Sequence, residues 1–232
     1  NILWLALSAL GVFMSYVPIH TLLHDASGTS QSEEKIEASK LWAVVYLVVG
    51  LLFIAPLFQQ QLWHLISFGV IGALSFFGNY FLTRTIQKSI TSDLTAVAGL
   101  TLSAPSAYYV NAGIVDKQAL ILWLLNFLFF GCSVFYVHMK IKVSSMKRVD
   151  FPLAEKLTLG RLNIAYHIVV IGIVVTLSLY HLTKSTAALA FVPMVVHAIY
   201  GTVKLDRKVK FKNLGLMLLA QSVLYGVILI YL

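Results

Sequence analysis

The chain has 232 residues, 59% of them hydrophobic and only 11% charged, with a formal net charge of +8. A water-soluble domain carries about a quarter charged residues, so this composition excludes an ordinary soluble fold. The positive charge lies in loops between apolar runs, which points to membrane orientation and lipid neighbours, with no nucleic acid as partner.

Runs of apolar residues follow one another along the whole length, and they predict an all-α, polytopic transmembrane helix bundle forming one integral membrane domain over residues 1–232. About eight spans are expected. The first runs Ile2 to Leu23 and is followed by a polar stretch, His24 to Lys40. The second is Leu41 to Phe58, closed by Gln59-Gln60-Gln61, and the third is Leu62 to Thr83. After a polar turn, Arg84 to Asp93, the fourth is Leu94 to Val110, and the fifth, beyond the turn at Gly113, is Gln118 to Met139. The long basic loop Lys140 to Arg161 precedes the sixth and seventh spans, Leu162 to Leu182 and Ser185 to Val203. A second basic loop, Lys204 to Asn213, leads to the eighth, Leu214 to Leu232. Each is long enough to cross a hydrocarbon core of about 30 Å. The single cysteine, Cys132, sits within an apolar run, so no disulfide forms inside the chain.

The chain opens inside a hydrophobic run, Asn1-Ile2-Leu3-Trp4, with neither an initiator Met nor a basic leader. A secretory signal is not expected. A preceding segment is, and with one more helix it gives nine spans in the full protein.

Loop charge sets the expected orientation. The first, third, fifth and seventh loops hold 2, 2, 6 and 5 of the 17 Lys and Arg residues, and the opposite side holds only Lys117 and Lys184. By the positive-inside rule the basic loops face the cytoplasm, and the expected location is the bacterial inner, or plasma, membrane. No Asp or Glu lies deep in a span, which argues against an ion-coupled transporter. Pro18, Pro56, Pro105 and Pro193 form no repeat of broken helices, and no P-loop, Rossmann or zincin motif is present.

Histidine carries the chemistry that is left. His64 and His181 lie near the outer face, whereas His20, His24, His138, His167 and His197 lie at or near the cytoplasmic ends. His20 and His24 are four residues apart and share a helix face. With His138 they are expected to line one polar site, and His167 and His197 to form an inner layer. The plainer alternative is that each is an interfacial histidine bonded to a carbonyl or to water. The stretch Leu102 to Tyr109, rich in small residues around Pro105, reads as a packing kink or a ligand-facing bend. Asn79, Tyr80, Asn126 and Gln221 read as polar ties between helices.

The segments "LTLSAPSAYYV", "ALILWLLNFLFFGCSVFYVHMKIK" and "LSALGVFMSYVPIHTLL" resemble the YwiC-like family of bacterial membrane proteins, along most of the chain. That family is similar in architecture to the UbiA-type prenyltransferases, nine-helix bundles whose two Asp-rich motifs hold Mg²⁺ and a prenyl diphosphate at the cytoplasmic side. The resemblance aligns those motifs with His20-Thr21-Leu22-Leu23-His24-Asp25 and Tyr136-Val137-His138-Met139-Lys140. Only Asp25 remains of the carboxylates, and imidazole and ammonium are poor Mg²⁺ ligands. Mg²⁺-dependent prenyl transfer is therefore not expected. What the resemblance implies is a UbiA-like bundle, non-catalytic or accessory, that binds an isoprenoid or quinone, a lipid or haem in a cytoplasm-facing cavity. The implied site residues are His20, His24, Asp25, Tyr136, His138, His167 and His197. It would serve, for example, beside other membrane subunits of a respiratory complex. An enzyme acting on a lipid-borne substrate is the alternative, and a small-molecule transporter a second one.

Overall fold

A computed structural model describes residues 1–26, 32–86, 89–146, 151–205 and 209–231. Among the orientation charges, Lys88, Lys147, Arg148, Arg207 and Lys208 lie outside the described residues, as do Asp150 and Asp206. The described chain is all helical. In order the helices are α1 (Ile2–Met14), α2 (Tyr16–Ala26), α3 (Glu33–Gln59), α4 (His64–Ile86), α5 (Ile90–Leu100), α6 (Ser103–Ala112), α7 (Lys117–Ser144), α8 (Leu153–Leu159), α9 (Arg161–Leu179), α10 (Val192–Val203) and α11 (Phe211–Tyr231). A 3₁₀ segment, Ser185–Phe191, leads into α10.

Among the described residues, seven helical stretches are long and apolar enough to cross a membrane, with mean hydropathies of 1.6 to 2.5. Their surfaces are inverted relative to a soluble protein. Leu, Ile, Val and Phe side chains stand exposed along the long helices other than α7, while Asn163, His167, His197 and Thr202 are buried. Water would penalise that arrangement heavily, and a lipid solvent rewards it. The chain is a multi-pass membrane protein.

The expected fourth span is not continuous in the structure, which leaves seven candidate spans among the described residues. Leu94–Val110 is not one helix but α5 and α6, neither long enough alone to cross, separated at Thr101 and Leu102. Pro105 gives the physical reason. It has no N–H for the Thr101 carbonyl, and its ring crowds that oxygen. Thr101 adapts by turning its hydroxyl back on the carbonyls of Val97 and Ala98, at 2.8 and 3.2 Å. The same rule places the break between α1 and α2 at Ser15, three residues before Pro18, where the Ser15 hydroxyl caps Val12 O at 2.6 Å.

The chain divides into two compact units, Asn1–Val70 with Ser103–Ala119, and Ile71–Leu102 with Leu120–Leu232. In the first, α1 lies against α3 through small residues. Ser8 and Gly11, with the cap residue Ser15, are the buried face of α1, and Ala43, Gly50 and Leu57 that of α3. A methyl group on Gly11 would sit 2.9 Å from Gly50 N and 3.0 Å from Tyr46 O, both backbone atoms that cannot swing aside. Close backbone approach is how helices gain dispersion energy in lipid, where no hydrophobic force pulls them together. Gly11→Leu is therefore expected to cost about 1–3 kcal/mol by overpacking, read as a fall in the melting temperature of the detergent-solubilised protein. An unchanged melt would show that the crossing is not close. Below this crossing, Leu57, Leu62, Leu65, Tyr109 and Val110 form an apolar core. It is closed by a helix-end turn with Gln61 at φ 60°, where Gln61 N–H reaches Phe58 O and Leu62 N–H reaches Leu57 O.

In the second unit α7 is the central element. Ile121, Leu125, Leu128, Cys132, Tyr136, Met139 and Val143 recur every three or four residues and are buried along one stripe. The upper part packs on Val170 and Val174 of α9, Met194 of α10 and Tyr225 of α11, whose ring stacks on Phe129 at 3.9 Å. The lower part packs on Ala198 and Leu205. Two lysines, one on α7 and one on α8, finish α10. Lys140 donates to Gly201 O at 2.9 Å and Lys156 to Val203 O at 3.3 Å, which satisfies last-turn carbonyls and places positive charge at the negative end of the helix.

Candidate functional site

The first unit holds His20, His24 and Asp25 on α2. Tyr16, His20 and His24 are spaced by four, and their rings form a ladder, Tyr16 to His20 at 5.7 Å and His20 to His24 at 4.6 Å. The other expected residues, Tyr136, His138, His167 and His197, belong to the second unit, where they fall on two faces of α7.

One face carries a buried polar cluster. His197 Nε2 lies 3.0 Å from the Tyr136 hydroxyl, edge-on to its ring. Gly201, one turn below His197, makes this possible, because the Tyr136 hydroxyl and ring occupy the space a Cβ there would need. On α9, His167 Nδ1–H donates to Asn163 O at 2.7 Å. A carbonyl can only accept, so the proton is on Nδ1 and Nε2 presents its lone pair. Asn163 Nδ2 donates to Thr202 Oγ1 at 3.3 Å, and Thr202 passes its own proton to Ala198 O at 2.8 Å, which leaves Asn163 Oδ1 as a bare acceptor. Gln221 Nε2 donates to Pro193 O at 3.4 Å, so its Oε1 is bare too. The buried atoms without a hydrogen-bond partner among the described residues are Asn163 Oδ1, His167 Nε2, His197 Nδ1, Gln221 Oε1 and Tyr225 OH. Gln221 faces His197, and His167 and His197 are close enough to interact electrostatically.

The other face carries His138. Its Nε2–H donates to Asp93 Oδ2 at 2.7 Å, a half-buried carboxylate–imidazole pair. Tyr136 and His138 are two residues apart, about 200° around the helix, so they point to opposite sides. Asp93 reaches this place because Ser89 and Ser92 start α5 with reciprocal bonds of 3.3 and 3.2 Å, which sets the carboxylate in the favourable first turn. From the pair an open groove of about 350 Å³ runs between α5 and α7. Its walls are Val97, Phe130, Val134 and Val137, with Ser133 as the one hydroxyl side chain among them. Trp123, on α7, donates to Ala98 O at 3.1 Å and ties α7 to α5 on the same side.

Sequence reasoning passed over Asp93 by assigning it to a loop, and it did not single out Asn163 or Thr202. The S-x-x-S-D pattern at Ser89–Asp93 is the signal that would have moved Asp93 into a helix start. Among the polar ties expected in the spans, Asn126 bonds its own helix at Leu122 O, and Asn79 accepts from Thr83 four residues on. Among the described residues no group of three or more His, Cys, Asp or Glu side chains is placed to hold a metal ion.

No protein-family model matches the chain. A Haemophilus influenzae protein described as uncharacterized is 23% identical over 223 residues, covering 95% of this chain and 83% of that protein. No solved structure matches.

Proposed function

We propose that this chain is a non-catalytic or accessory membrane protein that holds an amphiphile, an isoprenoid, quinone or lipid, in the groove of its second unit. The observation that carries this reading is the groove itself, an open apolar groove of about 350 Å³ with a carboxylate–imidazole pair at one end. A largely apolar pocket with a few convergent polar groups is the usual form of a small-molecule site. The groove runs inward from helix ends, the course an amphiphile takes with its head at the interface. The proposal places the site on the second unit; His20, His24 and Asp25 belong to the first. Extraction of the protein from membranes, followed by mass spectrometry of the co-purified lipids, tests it. One amphiphile enriched over the bulk lipid, and lost from Val97→Phe, is expected; the bulk lipid profile in both would defeat the proposal.

A second reading, an enzyme acting on a lipid-borne substrate, draws on the 2.7 Å contact between Asp93 and His138. A carboxylate that orients an imidazole is the arrangement of a general base.

The proposed orientation puts the basic loops in the cytoplasm. Cys132 is fully buried, so single cysteines can be read against a silent background. Cysteines replacing the exposed Lys142 and Lys212 are expected to react with an impermeant maleimide in inverted vesicles, and a cysteine replacing Lys117 only in right-side-out spheroplasts. The reverse pattern would invert the topology.

A further inference from the structure

We infer that the head group held at the mouth of the groove is a quinone or quinol, a neutral ring bearing carbonyl or hydroxyl oxygens, and not a phosphate. The inference rests on the groove reading above and names the class of its ligand. Asp93 and His138 already meet at 2.7 Å, so whatever positive charge the imidazole gains is matched by a carboxylate. A phosphate approaching the pair meets that carboxylate at short range, and like charges at such distances repel strongly in a low-dielectric site. Phosphate sites overcome this with Arg or Lys, or with a metal bridge. Among the described residues none of the groove's lining is Lys or Arg, and no trio of metal-holding side chains exists. Lys140, two residues after His138 on α7, is turned to the other face and engaged with Gly201 O at 2.9 Å.

A neutral oxygenated ring has the opposite fit. The Nε2–H of His138 is already given to Asp93, so Nδ1 and the carboxylate both accept, and a quinol hydroxyl donates to either, while a quinone carbonyl accepts from the Ser133 hydroxyl in the groove lining. The tail then runs along Val97, Val134 and Phe130. From His138 to Phe130 is eight residues of helix, about 12 Å, so the groove takes the ring and the beginning of a prenyl chain.

The test uses the purified full chain in detergent, titrated with a benzoquinone carrying two isoprene units. Quinones quench tryptophan emission, and Trp123 is bonded to Ala98, beside Val97 of the groove wall, and reports on the groove. Competitors are geranyl diphosphate and dioleoyl phosphatidic acid. Saturable quenching is expected, weakened about tenfold or more by His138→Leu and by Asp93→Asn, and unaffected by either phosphate compound. Melting curves of the variants separate lost binding from lost fold, and Asp93→Asn keeps the shape of the side chain. Displacement of the quinone by geranyl diphosphate or phosphatidic acid at equal or lower concentration overturns the head-group assignment and leaves the groove reading intact. Quenching that Val97→Phe leaves unchanged, or no saturable quenching at all, overturns both.

Discussion

Gly201→Val is expected to be the most damaging single substitution outside the groove. The Tyr136 hydroxyl and ring lie over the Gly201 Cα, and the hydroxyl is held there by His197 at 3.0 Å. A branched side chain at position 201 must push the ring away. Overpacking of that kind costs about 1–3 kcal/mol, and displacing Tyr136 leaves His197 Nε2 buried without its partner, about 1–3 kcal/mol more. Magnitudes separate the two contributions. A hydrogen bond between helices in lipid is worth only about 0.6 kcal/mol on average, so Tyr136→Phe, which removes the hydroxyl and keeps the ring, should lower the melting temperature slightly. Gly201→Val should leave little monodisperse protein after detergent extraction. Adding Tyr136→Ala to Gly201→Val vacates the contested space and should recover part of the loss, a coupling seen only for residues in contact. Equal melting of Gly201→Val and the parent would contradict the packing described for α7 and α10.

This contact also marks where sequence reading stops. Seven of the eight expected spans follow from local information, because hydropathy acts residue by residue. The break between α5 and α6 was half legible. Pro105 announces a bend, but whether the helix kinks and continues or ends at Thr101 and Leu102 is not written in it. Which helices neighbour each other is not local at all. His138 was expected beside other histidines, and within its own unit its partner is Asp93, 45 residues earlier in the chain. Nothing in hydropathy links those positions. What could have been read is helical phase. Tyr136 and His138 cannot share a face, whereas Asn163 and His167, or His197 and Gly201, four apart, must.

His167→Leu is expected to stabilise the protein. His167 is 4% exposed, and its Nε2 has no hydrogen-bond partner among the described residues. A buried acceptor left unpaired costs about 1–3 kcal/mol, and leucine of similar volume removes it. The bond lost on the other side of the ring is cheap, because Asn163 O, four residues earlier in α9, keeps its helical partner, the His167 backbone N–H. The net gain is then about 1 kcal/mol, a rise of about 2–4 °C in melting temperature for a chain of this size. The measurement also distinguishes the alternatives. A rise that leaves quinone binding unchanged would show that His167 Nε2 is unpaired and takes no part in the groove. A fall of several degrees would show that Nε2 has a partner in the membrane, a buried water or a bound ligand shared with Asn163 Oδ1, and the cluster would then be an occupied site in its own right.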